Sequence, residues 1–285
     1  MTGVRILVTG AGGMLARDLV GALRGHEVTA LGRAALDITD RDAVHTALAG
    51  HDVIVNTAAY TDVDAAETSE SLAHAVNAQG PAFLAESARD HGARLIHVST
   101  DYVFGGDATE PYPETAPVAP RSAYGRTKAD GERLAQELYP DGTSIVRTAW
   151  LYGRHGSNFA RTMLRLAAER ETWQVVDDQV GQPTWSADLA ARIVEMIDGD
   201  IPAGIYHGTN SGSTTWFGFA QAVLEESGLD PARISPTDSS SFVRPARRPA
   251  YSVLGHGAWT EVGLGPMRPW DAALAEAVAT GALSE

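Results

Sequence analysis

The stretch Arg5-Ile-Leu-Val-Thr-Gly10-Ala-Gly-Gly13-Met-Leu-Ala16 decides how this chain folds. A short β-branched run enters a cluster of glycines, and a helical pattern follows. The run is bounded like a strand buried on both faces, as in a parallel sheet. Gly10 suits a tight turn. Gly13 lets the backbone approach a pyrophosphate, which would sit on the helix N-terminus where the helix dipole favours an anion. Met14 and Leu15 are assigned to the same phosphate site, and Ala16 is small enough for close helix–strand packing. The spacing is Gly-x-x-Gly-x-x-Ala. Taken alone, the loop also reads as a glycine turn without a ligand. Its position after the first strand of an alternating chain favours the phosphate.

The alternation continues outward from this loop. Strands are predicted at Arg5–Thr9, Glu27–Leu31, Asp52–Asn56, Arg94–Ser99 and Ser144–Arg147. Helices are predicted at Met14–Leu23, Arg41–Ala49, Leu72–His91 and Ala123–Tyr139, with Pro81 kinking or dividing the third. Strand–helix alternation implies an α/β fold with a doubly wound parallel sheet. After Trp150 the regularity weakens. Helices are expected at Phe159–Arg170, Ala187–Ile197, Trp216–Ser227 and Trp270–Ala279, and a strand at Gly204–His207. The stretch Pro231–Pro249, rich in Pro, Ser and Arg, reads as loop.

Composition bounds the function. The 285 residues are 44% apolar and 20% charged, enough for an ordinary globular core. The net charge of -14 and the lack of a basic run disfavour nucleic acid. No apolar run reaches the roughly 18 residues of a membrane span, and no signal-peptide pattern opens the chain, so a cytoplasmic protein without a membrane partner is expected. With no cysteine, thiolate chemistry and disulfides are excluded. The nine histidines show no ligand spacing, and no metal is predicted.

Further residues carry chemistry. The second strand ends at Leu31-Gly32-Arg33, where an acid usually reads a ribose hydroxyl. Arg33 can instead pair with a 2′-phosphate, or stand as a solvated surface arginine. Asp37 and Ile38 are placed to bracket an adenine ring. Tyr124 and Lys128 are four residues apart and share a helical face. A free tyrosine titrates near about 10 and is a poor acid–base partner at neutral pH. The nearby ammonium is expected to draw the phenol down, so that Tyr124 can give a proton to a carbonyl oxygen. Thr100, at the end of the fourth strand, can hydrogen-bond the same oxygen or cap a turn.

Together these residues resemble the extended short-chain dehydrogenase/reductases, and in finer detail the dTDP-4-dehydrorhamnose reductase family. Matching segments are Leu36-Asp-Ile-Thr39, Asn56-Thr-Ala-Ala-Tyr-Thr-Asp-Val-Asp64, Ser99-Thr-Asp-Tyr-Val-Phe104, Tyr124-Gly-Arg-Thr-Lys128, Arg147-Thr-Ala-Trp150, Asn158-Phe159, Asp178-Gln-Val-Gly-Gln-Pro-Thr184 and Arg248-Pro-Ala-Tyr-Ser252. The resemblance implies a Rossmann-like domain over residues 1–150. A smaller substrate-binding domain, partly interleaved with the sheet, would occupy 151–285. It implies NADPH, sometimes NADH, as hydride donor, and a dTDP-linked 4-keto sugar as substrate, in a monomer or homodimer.

The resemblance also implies roles for single residues. Thr100, Tyr124 and Lys128 match the catalytic trio, and Lys128 also the holder of the nicotinamide ribose. Ala58, Ala59 and Tyr60 match the segment lining the cofactor. Thr61, Val63, Asp101 and Tyr102 match positions near the sugar. Trp150 matches an aromatic packed on the sugar ring, or reads as a core aromatic following a strand. Asn158 is grouped with the substrate side. Arg248 meets the diphosphate, with Arg247 equal on charge. Asp62 departs from the family, which commonly has a small residue there. The leading expectation is reduction of dTDP-4-dehydro-β-L-rhamnose to dTDP-β-L-rhamnose. Rivals are another 4-ketoreductase, such as a dTDP-dihydrostreptose synthase, and a non-catalytic NADP-binding regulatory subunit. An epimerase or 4,6-dehydratase is a third; a dehydratase would need an Asp-Glu pair beside the threonine, and Asp101-Tyr102 supplies one acid only.

Overall fold

Six of the short apolar runs lie side by side in the computed structural model, which describes residues 3–284. They are β1 (Arg5–Thr9), β2 (Glu27–Leu31), β3 (Val53–Asn56), β4 (Arg94–Thr100), β5 (Thr143–Thr148) and, beyond a separate β6 (Trp173–Val176), β7 (Gly204–His207). Their order is β7-β5-β4-β3-β1-β2, and every neighbouring pair is parallel. The chain winds outward to β2 on one side of β1 and to β3 on the other. The sheet therefore switches direction between β1 and β3, where the C-terminal strand ends open a crevice.

Alternation within β1 divides the core. Ile6 and Val8 pack against Leu15 and Leu19 of α1 (Met14–Ala22). Leu7 faces the other way, toward Val44 and Leu48 of α2 (Arg41–Leu48) and Leu84 and Ala88 of α3 (Gly80–His91). The helix α4 (Ala123–Leu138) packs beside α3 and against β4. A second core gathers Met163 of α5 (Phe159–Glu169), Trp173 and Val175 of β6, Phe219 of α7 (Trp216–Glu226) and Leu274 of α8 (Trp270–Ala279). Between α5 and α7 in sequence, α6 (Ser186–Asp198) returns to the sheet and packs on α1, as β7 returns to its edge. Among the described residues no helix is long and apolar enough to cross a membrane.

Two expectations are corrected. The stretch Leu72–His91 is divided, one of the two outcomes expected of Pro81, but the break lies ahead of the proline: Glu70–His74 gives way to a π-helical turn over Ala75–Gln79 before α3. Pro81 has no N–H to return to the carbonyl four residues earlier, and the helix widens there. The stretch Pro231–Pro249 is not all loop. Its residues Ile234–Thr237 form β8, parallel to β6. The pair stands alone as two strands, so Pro236 is tolerated on an edge.

Candidate active site

The phosphate loop has the geometry that only glycine permits. Gly10 has φ +70°, and a Cβ there would lie 2.7 Å from the Cα of Ala58. Gly13 is the N-cap of α1, with no side chain capping it and no acid in the first turn. The amides of Met14, Leu15 and Ala16 thus open the helix without a built-in acceptor. Leu15 contributes only its main chain, because its side chain is in the core. Arg33 is exposed, and among the described residues it makes no hydrogen bond or ion pair. An anion-sized cradle with an uncommitted arginine at the next strand end fits a phosphorylated dinucleotide. Asp37 is turned onto Thr39, accepting from its N–H at 2.9 Å and its hydroxyl at 2.7 Å. Ile38 is buried, pressed against Gly80, where a Cβ would come within 2.6 Å of Cδ1.

Strand and helix ends bring the trio together. Thr100 closes β4, and Ser122 caps α4 by accepting the Gly125 N–H at 3.1 Å, which starts the helix just ahead of Tyr124. The Thr100 hydroxyl donates to Asp101 Oδ1 at 3.0 Å and lies within hydrogen-bonding reach of the Tyr124 phenol. Lys128 is fully buried, and its Nζ donates to the Val98 carbonyl at 2.6 Å. The expected effect of the lysine on the tyrosine is overturned. Burial pushes Tyr124 up to about 12, and the Thr100 hydrogen bond offsets it only in part. Desolvation dominates, and the Lys128 nitrogen is engaged with β4 instead of the phenol. Burial likewise raises Asp101 to about 6, against the hydrogen bond it accepts from Thr100.

The Tyr102 ring meets Tyr124 edge-on, with centroids 5.6 Å apart. Tyr102 also lines a cleft of about 800 Å³, bordered by Trp216, Gln179, Arg244, Arg247 and Arg248. That volume suits a small-molecule ligand, and three arginines at one border suit an anionic one. Arg248 is anchored by Asp64, at 2.9 Å.

Residues 4–282 match the family model described as the RmlD substrate binding domain. A Streptomyces griseus protein named dTDP-4-dehydrorhamnose reductase is 53% identical over 280 residues, covering 95% of this chain and 92% of that protein. A Streptomyces antibioticus protein named as a probable dTDP-4,6-dihydroxy-2-methyloxan-3-one 4-ketoreductase is 52% identical over 279 residues, covering 96% of this chain and 94% of its own. The solved Bacillus anthracis dTDP-4-dehydrorhamnose reductase, in complex with NADP, superposes with a TM-score of 0.94 at 36% identity, covering 98% of this chain and 99% of that one. This chain belongs to the dTDP-4-dehydrorhamnose reductase family.

Within this family member, the sequence-predicted residues fall into two sets. Gly10, Gly13, Ala58, Thr100, Asp101, Tyr102, Tyr124 and Lys128 come from strand ends and helix starts around one crevice. Others are committed elsewhere. Asn158 caps α5, accepting the Arg161 N–H at 3.1 Å and donating to the Gly153 carbonyl at 2.9 Å. Trp150 stacks on Trp216 with centroids 3.5 Å apart, and Trp216, not Trp150, stands in the cleft wall. Trp150 does hold a left-handed backbone at φ 47°, a strained state for a bulky residue. Gly181 lies against its indole, where a Cβ would come within 2.4 Å. Asp62 caps the short helix Val63–Ala66 through the Ala65 N–H at 2.9 Å, next to exposed Thr61 and half-buried Val63.

Sequence reasoning missed three residues. Asn77, in the π turn, accepts the Tyr60 N–H at 2.8 Å and donates to the Tyr60 carbonyl at 3.0 Å, fixing the Ala58–Tyr60 segment. An asparagine inside a helical pattern was its only signal. His97 is the polar residue among the alternating apolar positions of β4, and it reaches Lys128. Trp216 had the signal of an aromatic opening a helix after two threonines, and nothing in spacing distinguished it from core.

Proposed function

We propose that this chain reduces the C4 keto group of a dTDP-4-dehydro-6-deoxy-L-sugar with NADPH. Under this reading the substrate is dTDP-4-dehydro-β-L-rhamnose and the product dTDP-β-L-rhamnose. The observation that carries it is the placement of Thr100, Tyr124 and Lys128 between two anion-ready features. One is the glycine cradle with Arg33, and the other is the arginine-bordered cleft reached at Tyr102. The names of the relatives and the NADP in the Bacillus anthracis structure support the same reading.

The cofactor supplies a hydride to the keto carbon. Tyr124, held as the phenol by burial, gives its proton to the keto oxygen as that hydride arrives. The Thr100 hydroxyl steadies the same oxygen, and Lys128 faces the cofactor ribose. Arg33 pairs with the 2′-phosphate. Arg248 and Arg247 take the substrate diphosphate, and Trp216, backed by Trp150, covers the apolar face of the deoxysugar. In this assignment residues 1–150 hold the cofactor. Residues 151–285 mainly form the substrate lobe, apart from α6 and β7, which complete the sheet domain.

A second reading, reduction of a different dTDP-4-keto sugar, is favoured by one observation. Two relatives at 53% and 52% identity carry different substrate names. The assay is NADPH oxidation with each candidate dTDP-4-keto sugar, with the product identified by NMR. Turnover of the rhamnose precursor well above the others is expected. Turnover of another keto sugar alone moves the assignment to the second reading, and no oxidation with any of them sinks both.

A further inference from the structure

A row of polar side chains crosses the sheet where three strands share a register. Thr9 of β1 is paired with Asn56 of β3, and Asn56 with His97 of β4. All three are buried. Thr9 Oγ1 donates to Asn56 Oδ1 at 2.6 Å, and Asn56 Nδ2 meets His97 Nδ1 at 2.9 Å. The other ring nitrogen, His97 Nε2, lies 3.3 Å from Lys128 Nζ. The mechanism above gives His97 no task.

The protons in this row follow from one backbone contact. The Ala58 N–H reaches Asn56 Oδ1 at 3.2 Å. A backbone N–H can only donate, so the atom it meets is the amide oxygen and the other is the NH2 group. That NH2 donates to His97 Nδ1, which therefore carries no proton. Burial alone suffices to hold the ring well below its ordinary range and neutral. A neutral imidazole bare at Nδ1 has its hydrogen on Nε2. This hydrogen faces Lys128 Nζ. An ammonium offers three donors and no lone pair, whereas a neutral amine can accept one hydrogen bond. Only the amine turns the 3.3 Å contact into a hydrogen bond while still donating to the Val98 carbonyl.

We propose that His97 is a positioning residue that favours the uncharged form of Lys128 in the ligand-free protein, and that NADPH binding shifts that nitrogen back toward the ammonium. The second half rests on the function proposed above. The surroundings agree. Burial brings Lys128 down to about 8 from its ordinary 10.5, and a donor aimed at the neutral form acts in the same direction. Glu132, one turn along α4, favours the ammonium, but both its oxygens are taken by Arg147 of β5. Tyr124, one turn back, stays a neutral phenol, and Asp101 is engaged by Thr100. Arg126 and Asp130 on the same helix face Glu70 and His74. A bound ribose would bring two hydroxyl acceptors: beside the Val98 carbonyl, the three donors of an ammonium can meet both, whereas an amine has one donor left. Once protonated, Lys128 can also steady the Tyr124 phenolate left after proton transfer.

Lys128 is the only lysine among the 285 residues. Protein labelled with 13C,15N-lysine therefore gives one lysine side-chain signal, and its pH titration needs no assignment. In the ligand-free protein this signal should titrate at or below about 8, and the 15N shifts of His97 should report the Nε2–H tautomer. Calorimetry of NADPH binding in buffers of different ionisation heat should show proton uptake above the Lys128 midpoint. His97→Gln, whose amide oxygen can accept from an ammonium, should move the lysine titration upward. A lysine titrating at its ordinary 10.5, an Nδ1–H tautomer, or NADPH binding with no proton uptake above the midpoint overturns the proposal. Matching NMR in a protein that binds no NADPH would support the ligand-free half and overturn the proposed function.

Discussion

Tyr124 illustrates how burial and charge compete at a single side chain. Spacing predicted a phenol drawn down by Lys128, and the fold instead buries the ring and pushes it up to about 12. For a reduction this is serviceable, because the group must hold a proton until the keto oxygen needs it. Tyr124→Phe should therefore lower kcat by roughly a hundred- to ten-thousand-fold, the range of a general acid's contribution, while the Kd for NADPH stays within a few-fold. Stopped-flow turnover beside fluorescence titration measures both, and turnover close to that of the parent enzyme would remove Tyr124 from the mechanism. Arg33 makes a separate case. Exposed and without a partner among the described residues, it does not shape the fold, so Arg33→Ala should leave the melting temperature alone. It should weaken NADPH by about 1.5–3 kcal/mol, the worth of hydrogen bonds to a charged group, and NADH hardly at all. Equal weakening of the two cofactors would place the 2′-phosphate elsewhere.

At the scale of elements, the π turn holds the segment Ala58–Tyr60, proposed to line the cofactor, against α4. Gly131 makes this close approach feasible, since a Cβ there would lie 2.0 Å from the Asn77 carbonyl oxygen. Gly131→Ala should push α4 off the turn, with an overpacking cost of about 1–3 kcal/mol in urea unfolding. It should also loosen NADPH by disturbing the Asn77–Tyr60 hydrogen bonds. A gain in stability, as expected for alanine in a helix with room for it, would show that the approach is not tight. The same turn marks where the sequence stopped being legible. The parallel strands were readable because the central ones are short apolar runs buried on both faces, with the edge strand β2 more exposed, and the glycine loop because its chemistry is local. The π turn was not, because it depends both on Pro81 and on Asn77 meeting a neighbouring helix with no side chain at Gly131. The pairing of β8 with β6 was hidden similarly: Ile234-Ser-Pro-Thr237 has no strand signal until Trp173 and Val175 lie beside it. Tyr124, Lys128 and Thr100 stood out through their spacing and strand-end position. Asn77, His97 and Trp216 act through contacts distant in sequence, which no spacing records.

For the molecule as a whole, the site lowers stability in a pH-dependent way, and Asp101 makes that measurable. Its carboxyl is 2% exposed beside Thr100, and desolvation raises it from an ordinary 3.8 to about 6 despite the hydrogen bonds it accepts. The folded protein therefore binds this proton more tightly than the unfolded chain does. Between about pH 4 and 6 the native state holds more protons than the unfolded state, so stability falls as pH rises through that window and levels off above it. A rise from 3.8 to about 6 corresponds to about 3 kcal/mol withheld from the fold at neutral pH. Asp101→Asn keeps the size and removes the ionisation. The variant should unfold at higher urea concentration than the parent at pH 7–8, with the difference approaching about 3 kcal/mol, and the two curves should converge as the pH approaches 4. Its turnover should fall, because a neutral amide oxygen holds the Thr100 hydroxyl less firmly than a carboxylate oxygen does, and stability gained at an active site commonly comes with lost activity. A stability difference that stays constant from pH 4 to 8 would mean that Asp101 titrates alike in the folded and unfolded chain. The burial of an acid beside Thr100 would then carry no energetic cost for the fold.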